Sequence, residues 1–143
     1  NRQFYFPDQL GMKKVAALRE NLRRIDPDLD MEAADLRLDG GNIDRVFKNC
    51  ALIVEALDQA ADKKMMAEHF MGGPRPLICA SGVGGWGGSD RIRTRRIREG
   101  LLIVGDGRSE VSAMMPPTSA IVGIAAAKQA DAVVEWILGT GFA

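Results

Sequence analysis

Two short runs of uninterrupted apolar residues, Cys50-Ala-Leu-Ile-Val54 and Pro76-Leu-Ile-Cys-Ala80, constrain this chain more than any other feature. A strand that is apolar at every position is covered on both faces, as in a parallel sheet. Parallel neighbours need a crossover, and Ala60 to Met71, read as the next helix, supplies one. Buried strands alternating with helices predict an α/β fold with a parallel or mixed sheet and flanking helices, wound right-handedly.

Upstream, Met12, Val15, Ala16, Leu18, Leu22 and Ile25 predict a helix over Gly11 to Arg24, closed by Pro27. Asp28 to Leu38 reads as a short strand with Leu29, Met31 and Ala33 on one face. Asn42, after Gly40-Gly41, is placed to cap a short helix over Ile43 to Lys48. Downstream, Val83 to Gly88 holds four glycines around Trp86 and reads as a flexible loop. Arg91 to Arg98 and Leu101 to Val104 predict an antiparallel strand pair turning at Glu99-Gly100. Pro116-Pro117 opens a long helix, Thr118 to Leu138, which Gly139 closes. Its small residues, Gly123, Ala125, Ala126, Ala127 and Ala130, allow close approach to a sheet. No linker or repeat divides the chain, so residues 1–143 read as a single domain.

Charge narrows the function classes. Lysine plus arginine and aspartate plus glutamate are nineteen each, so no net field draws the chain to nucleic acid or to a membrane surface. The two cysteines, Cys50 and Cys79, sit inside the apolar runs and read as buried free thiols of a reducing, cytoplasmic compartment. With one histidine they cannot assemble a structural zinc site, and no apolar run reaches membrane-spanning length.

Four features carry candidate chemistry, each with a plain structural alternative. Arg2 and Gln3, with Lys13 and Lys14 at the first helix's N-terminus, form a plausible phosphate cradle or a solubilising surface. Asp58, just past a buried parallel strand, sits where α/β sheets bind ligands and can hold Mg²⁺ beside a triphosphate; it can equally cap the helix from Ala60. Arg91, Arg93 and Arg95 share one face of a basic strand, either a solvated edge or a docking surface for an acidic partner. His69 stands without a nearby nucleophile and reads as structural.

In order along the chain, several segments resemble motifs of the ThiF/MoeB/HesA family, whose fold is shared by ubiquitin-activating enzymes. Asn1-Arg2-Gln3 is similar to the end of its N-x-x-R-Q motif, Gly11-Met-Lys-Lys14 to its G-x-x-K, and Arg24-Ile-Asp-Pro27 to its R-I-N-P. Val54-Glu-Ala-Leu-Asp58 resembles the strand ending in the ATP-site aspartate, and Ala80-Ser-Gly82 a V-x-A-S-G segment. Val122-Gly-Ile-Ala-Ala-Ala-Lys-Gln-Ala130 resembles the V-G-I-x-A-A-x-Q-A run of the last helix.

The resemblance implies a Rossmann-like fold and ATP-dependent adenylation of the C-terminal glycine of a ubiquitin-like sulfur carrier, of thiamin type first. Arg2 would contact the β- and γ-phosphates, with Gln3 beside it in the nucleotide site. Lys14 would bridge the α- and β-phosphates, and Asp58 would place Mg²⁺. The loop Gly84 to Gly88 would lie near the entry of the carrier's Gly-Gly tail, and a homodimer is expected. The family's glycine-rich nucleotide loop and its ribose-binding acid are not in this sequence. The chain is therefore expected to be the C-terminal part of such a domain and inactive by itself. The zinc-binding CxxC pairs of larger relatives are missing, and the proline before the last helix is displaced to Pro116-Pro117. A non-catalytic binding or dimerisation module on the same fold is the alternative. A nicotinamide-dependent oxidoreductase is a distant third, since no hydride-site acid or base is evident.

Overall fold

The structure, a computed structural model, describes residues 3–139, which divide into two units, residues 3–38 and those from Asp39 onward. The first unit holds one turn of 3₁₀-helix, Pro7–Gln9, followed by α1, Lys14–Ile25. Asp26, extended before Pro27, ends α1 where the proline requires it. Residues 28–38, predicted as a strand, form none: this unit holds no strand that could supply ladder hydrogen bonds. Alternating apolar side chains alone do not make a strand when the backbone donors and acceptors have no partner.

In the second unit a short helix α2, Ile43–Val46, precedes β1, Ile53–Glu55. Asn42 occupies the position before α2, but its side chain makes no cap. Its Oδ1 accepts instead from the Asp39 amide, while Asp39 Oδ1 accepts from the amides of Gly41 and Asn42. The helix α3, Ala60–Phe70, returns the chain to β2, Leu77–Ala80. His69 bonds Asp44 at 2.8 Å and meets Phe70 edge-on, a structural role as expected. The hairpin β3, Arg93–Arg98, and β4, Leu101–Gly105, follows, and α4, Ser119–Ile137, closes the unit with Gly139 in a left-handed conformation.

The four strands form one sheet in the order β1-β2-β4-β3. β1, β2 and β4 run parallel, with Ile53 opposite Leu77 and Leu77 opposite Leu101; β3 is antiparallel to β4. This mixed α/β architecture is the predicted fold class. The core gathers where α4 lies on the sheet: Ile121, Ala125 and Ala132 pack with Ile78, Leu102, Val104 and Ile92. Alternation along β2 sends Leu77 and Cys79 to the opposite face, on the side of α3.

Two readings of the first apolar run need correction. Cys50 lies outside β1 and is exposed, and only Cys79 is buried. β1 is an edge strand among the described residues, with Val54 43% exposed, so its apolar run is not covered on both faces. The two cysteines are free thiols. No described helix is long and apolar enough to cross a membrane.

Candidate functional site

In the unit 3–38 the segment preceding α1 is tied to the helix by a buried pair of amides. Gln9 Nε2 donates to Asn21 Oδ1 at 2.7 Å, and Asn21 Nδ2 donates to Gln9 Oε1 and to the Phe4 carbonyl, both at 3.1 Å. Gln9 Oε1 also accepts the Phe6 amide, and the Arg24 guanidinium stacks over the Phe6 ring. Gln3, exposed, leads into this tethered segment; Arg2 lies outside the described residues.

Lys14 is the first residue of α1 and is exposed; Lys13, at the cap position, pairs with Asp35 at 3.1 Å. Lys14 lies in the first turn with no acid beside it, at the positive end of the helix dipole. A bound anion would offset that repulsion. Of the two lysines, Lys14 is the one whose ammonium is not committed to the Asp35 pair.

In the second unit Asp58 sits in the connection between β1 and α3, at the carboxyl end of β1, and is exposed. It does not cap α3: the cap position belongs to Gln59, which makes no side-chain bond there. The carboxyl end of β1 also carries a buried ion pair that the sequence reading missed. Glu55, 1% exposed, accepts Lys63 Nζ at 2.8 and 3.1 Å on its two oxygens, and its Oε1 accepts the Leu57 amide at 2.5 Å. Lys63 also donates to the Ala80 carbonyl at 2.8 Å. A glutamate inside an apolar strand, eight residues before a lysine one turn into the next helix, was the available signal. Cys79, opposite Glu55 in the ladder, is pushed up to about 12 by burial first and then by the nearby Glu55 carboxylate.

The glycine-rich loop is pinned rather than free. Arg91, predicted on the basic strand, ends a 3₁₀ turn, Ser89–Arg91, and turns inward. Its guanidinium donates to the Gly84 carbonyl at 2.6 Å, to Ser109 Oγ at 2.9 Å and to Asp106. Burial alone would raise the Asp106 carboxyl, but the hydroxyl and amide of Ser109, the Arg108 amide and Arg91 hold it well below the usual carboxylate range. Gly85 donates its amide to the Pro116 carbonyl and accepts from Thr118 Oγ1, which fastens the loop to the start of α4. A side chain at Gly82, whose φ is +75°, would collide with the Asp106 carboxylate. The arginines of β3 are exposed along its length.

A shallow cavity of about 600 Å³ opens at the other end of the strands, lined by Pro76, Gly100, Arg96, Arg98 and Trp136. It lies beside the residues that precede β2 and β4, away from Asp58. The sheet's carboxyl end, where Asp58, the Glu55–Lys63 pair and the loop after Ala80 gather, is where parallel α/β sheets bind ligands. Gln3 and Lys14 belong to the unit 3–38 and Asp58 to the other.

The ThiF family model matches residues 1–141. No curated protein matches. Among solved structures, the E. coli tRNA N6-threonylcarbamoyladenosine dehydratase TcdA in complex with AMP is similar, with TM-score 0.82 and 13% identity, over 94% of this chain and 68% of that one. The same E. coli protein in complex with ATP matches at TM-score 0.68 and 14% identity, over 91% of this chain and 69% of that one. A further structure of it matches at TM-score 0.70 and 14% identity, over the same shares.

Proposed function

The chain belongs to the ThiF family, and on that premise we propose that it is the adenylating part of an E1-like enzyme. The substrates are ATP and the C-terminal glycine of a ubiquitin-like sulfur carrier, thiamin-type carriers first. In this reaction the carrier's carboxylate attacks the α-phosphorus of ATP and pyrophosphate leaves. The protein's task is to neutralise the phosphates and align the attack, so no protein nucleophile is required.

The observation that carries the reading is the place of Asp58, an exposed carboxylate at the carboxyl end of β1 in a chain of this family. Among the described residues no group of three or more acidic, histidine or cysteine side chains stands ready to hold a metal by itself. A single carboxylate fits Mg²⁺, which is usually bound through one or two carboxylates together with substrate phosphates and water. When bound, Mg²⁺ would offset charge on the triphosphate. Lys14 would supply a second positive charge at the phosphates, in keeping with its uncompensated position at the start of α1, and Arg2 with Gln3 a third group of contacts. The AMP and ATP complexes of the E. coli dehydratase on a similar fold are consistent with nucleotide binding here.

A carrier ending in Gly-Gly docks, in this account, with its tail beside the loop Gly84 to Gly88, and the enzyme works as a homodimer. Intact-mass analysis of such a carrier after incubation with ATP, Mg²⁺ and the intact enzyme tests the reading. A carrier adenylate is expected. Its absence with a carrier proven active with another adenylating enzyme would count for a non-catalytic module.

A further inference from the structure

We propose that Glu55 is a positioning residue for Asp58, acting through the connection between β1 and α3; the proposal rests on the adenylation reading above. That connection is residues 56–59 alone, and Asp58 is one of them. Glu55 Oε1 receives the Leu57 amide at 2.5 Å, which ties down the backbone immediately before Asp58. The same carboxylate is held by Lys63, near the start of α3, through both oxygens. Lys63 is in turn anchored on the Ala80 carbonyl, the last residue of β2. The backbone of Glu55 is fixed from the other side by Gln129 of α4, whose Nε2 donates to the Glu55 carbonyl at 3.0 Å.

The segment carrying Asp58 is thus held before, within and after its turn. Burying a carboxylate to 1% exposure is costly, and the ion pair with Lys63 only offsets that cost. An apolar residue would serve the packing of β1 as well as or better than glutamate does. What an apolar residue cannot do is accept the Leu57 amide. Fixing the position of one carboxylate matters when that carboxylate supplies the protein's contact to the metal ion on the triphosphate.

The test compares the full chain with Glu55→Gln and with the double variant Glu55→Met/Lys63→Met. The double variant removes both charges together, so its fold is retained where a single deletion would strand the partner. The first readout, independent of activity, is amide hydrogen exchange at Leu57 and Asp58. The second is the Mg²⁺ concentration giving half-maximal pyrophosphate exchange into ATP. In the double variant both should rise about tenfold, the low end for losing a group that holds a metal ligand in place, while the amides of β4 keep their protection. Glu55→Gln, which keeps an acceptor for Leu57, should lie between. Leu57 exchange at the unmodified rate overturns the proposal, as does a loosened Leu57 with unchanged Mg²⁺ dependence. If the unmodified intact enzyme shows no exchange with any Gly-Gly carrier, the adenylation reading fails before any variant is made, and this proposal with it.

Discussion

Gln129, on the last helix, donates its side-chain amide to the carbonyl of Glu55, seventy-four residues earlier, at 3.0 Å and to that of Ile78 at 3.4 Å. A buried glutamine in an otherwise small and apolar helix face therefore bridges β1 and β2 beneath the carboxyl end of the sheet.

Replacing it tests whether that bridge matters. Gln129→Leu keeps the volume and removes the donor, leaving the two carbonyls short of it. The variant should lose about 1–3 kcal/mol, the cost of leaving buried polar groups unsatisfied. A urea titration should show a lower midpoint at unchanged slope. An unchanged midpoint would mean that these carbonyls are satisfied without Gln129.

The Gln9–Asn21 pair makes a second prediction. Both side chains are buried and bond each other in both directions, so Asn21→Leu takes away the acceptor of Gln9 Nε2 and the Asn21 donor to the Phe4 carbonyl. Double substitution at the two positions should be less costly than the sum of the singles, with a coupling of about 0.5–3 kcal/mol in denaturant unfolding. Additive costs would show that the two amides act separately.

The cysteines should differ sharply. Cys50 is exposed, while Cys79 is buried and its thiol is pushed up to about 12. Only the thiolate reacts, so at neutral pH a maleimide reagent should label Cys50 and leave Cys79 untouched until the protein unfolds. Peptide mapping after short labelling gives the answer, and equal labelling of both contradicts the burial of Cys79.

Asp106 predicts a pH dependence. Its carboxyl is held below its ordinary value of 3.8 in the fold. A group depressed in this way stabilises above its unfolded value and loses that contribution as pH falls towards the folded one. Asp106→Asn should therefore be less stable than the unmodified chain at neutral pH. The gap should narrow as pH falls below about 4, in urea midpoints taken down to about pH 2. A gap constant with pH would show that the Arg91–Asp106 contact acts by packing rather than by charge.

Much of this was legible in the residues. The uninterrupted apolar run Leu77–Ala80 and the small residues of α4 are strong local signals, and the predicted strand, the helix from Ala60 and the last helix all formed. Arg91 misled because it continues the alternation of Arg93 and Arg95, yet Gly88, at φ +53°, starts a 3₁₀ turn that rotates it inward. The strand over Asp28 to Leu38 failed for want of a partner, which no local pattern reports. Asp58 was readable as a residue just past a strand. The Glu55–Lys63 clamp left only the glutamate inside an apolar strand as a signal, because its members are joined by tertiary packing and their spacing has no fixed meaning.

The central claim is the proposed adenylation, with Lys14 and Asp58 each needed for it, and exchange of labelled pyrophosphate into ATP tests it most directly. The intact enzyme with a Gly-Gly-tailed carrier should catalyse exchange, and omission of the carrier should abolish it. Lys14→Ala and Asp58→Ala should each lower the rate by roughly 10²–10³-fold, the range for losing one electrostatic contact to a developing charge, with circular dichroism unchanged. Exchange at the unmodified rate in both variants would contradict the account.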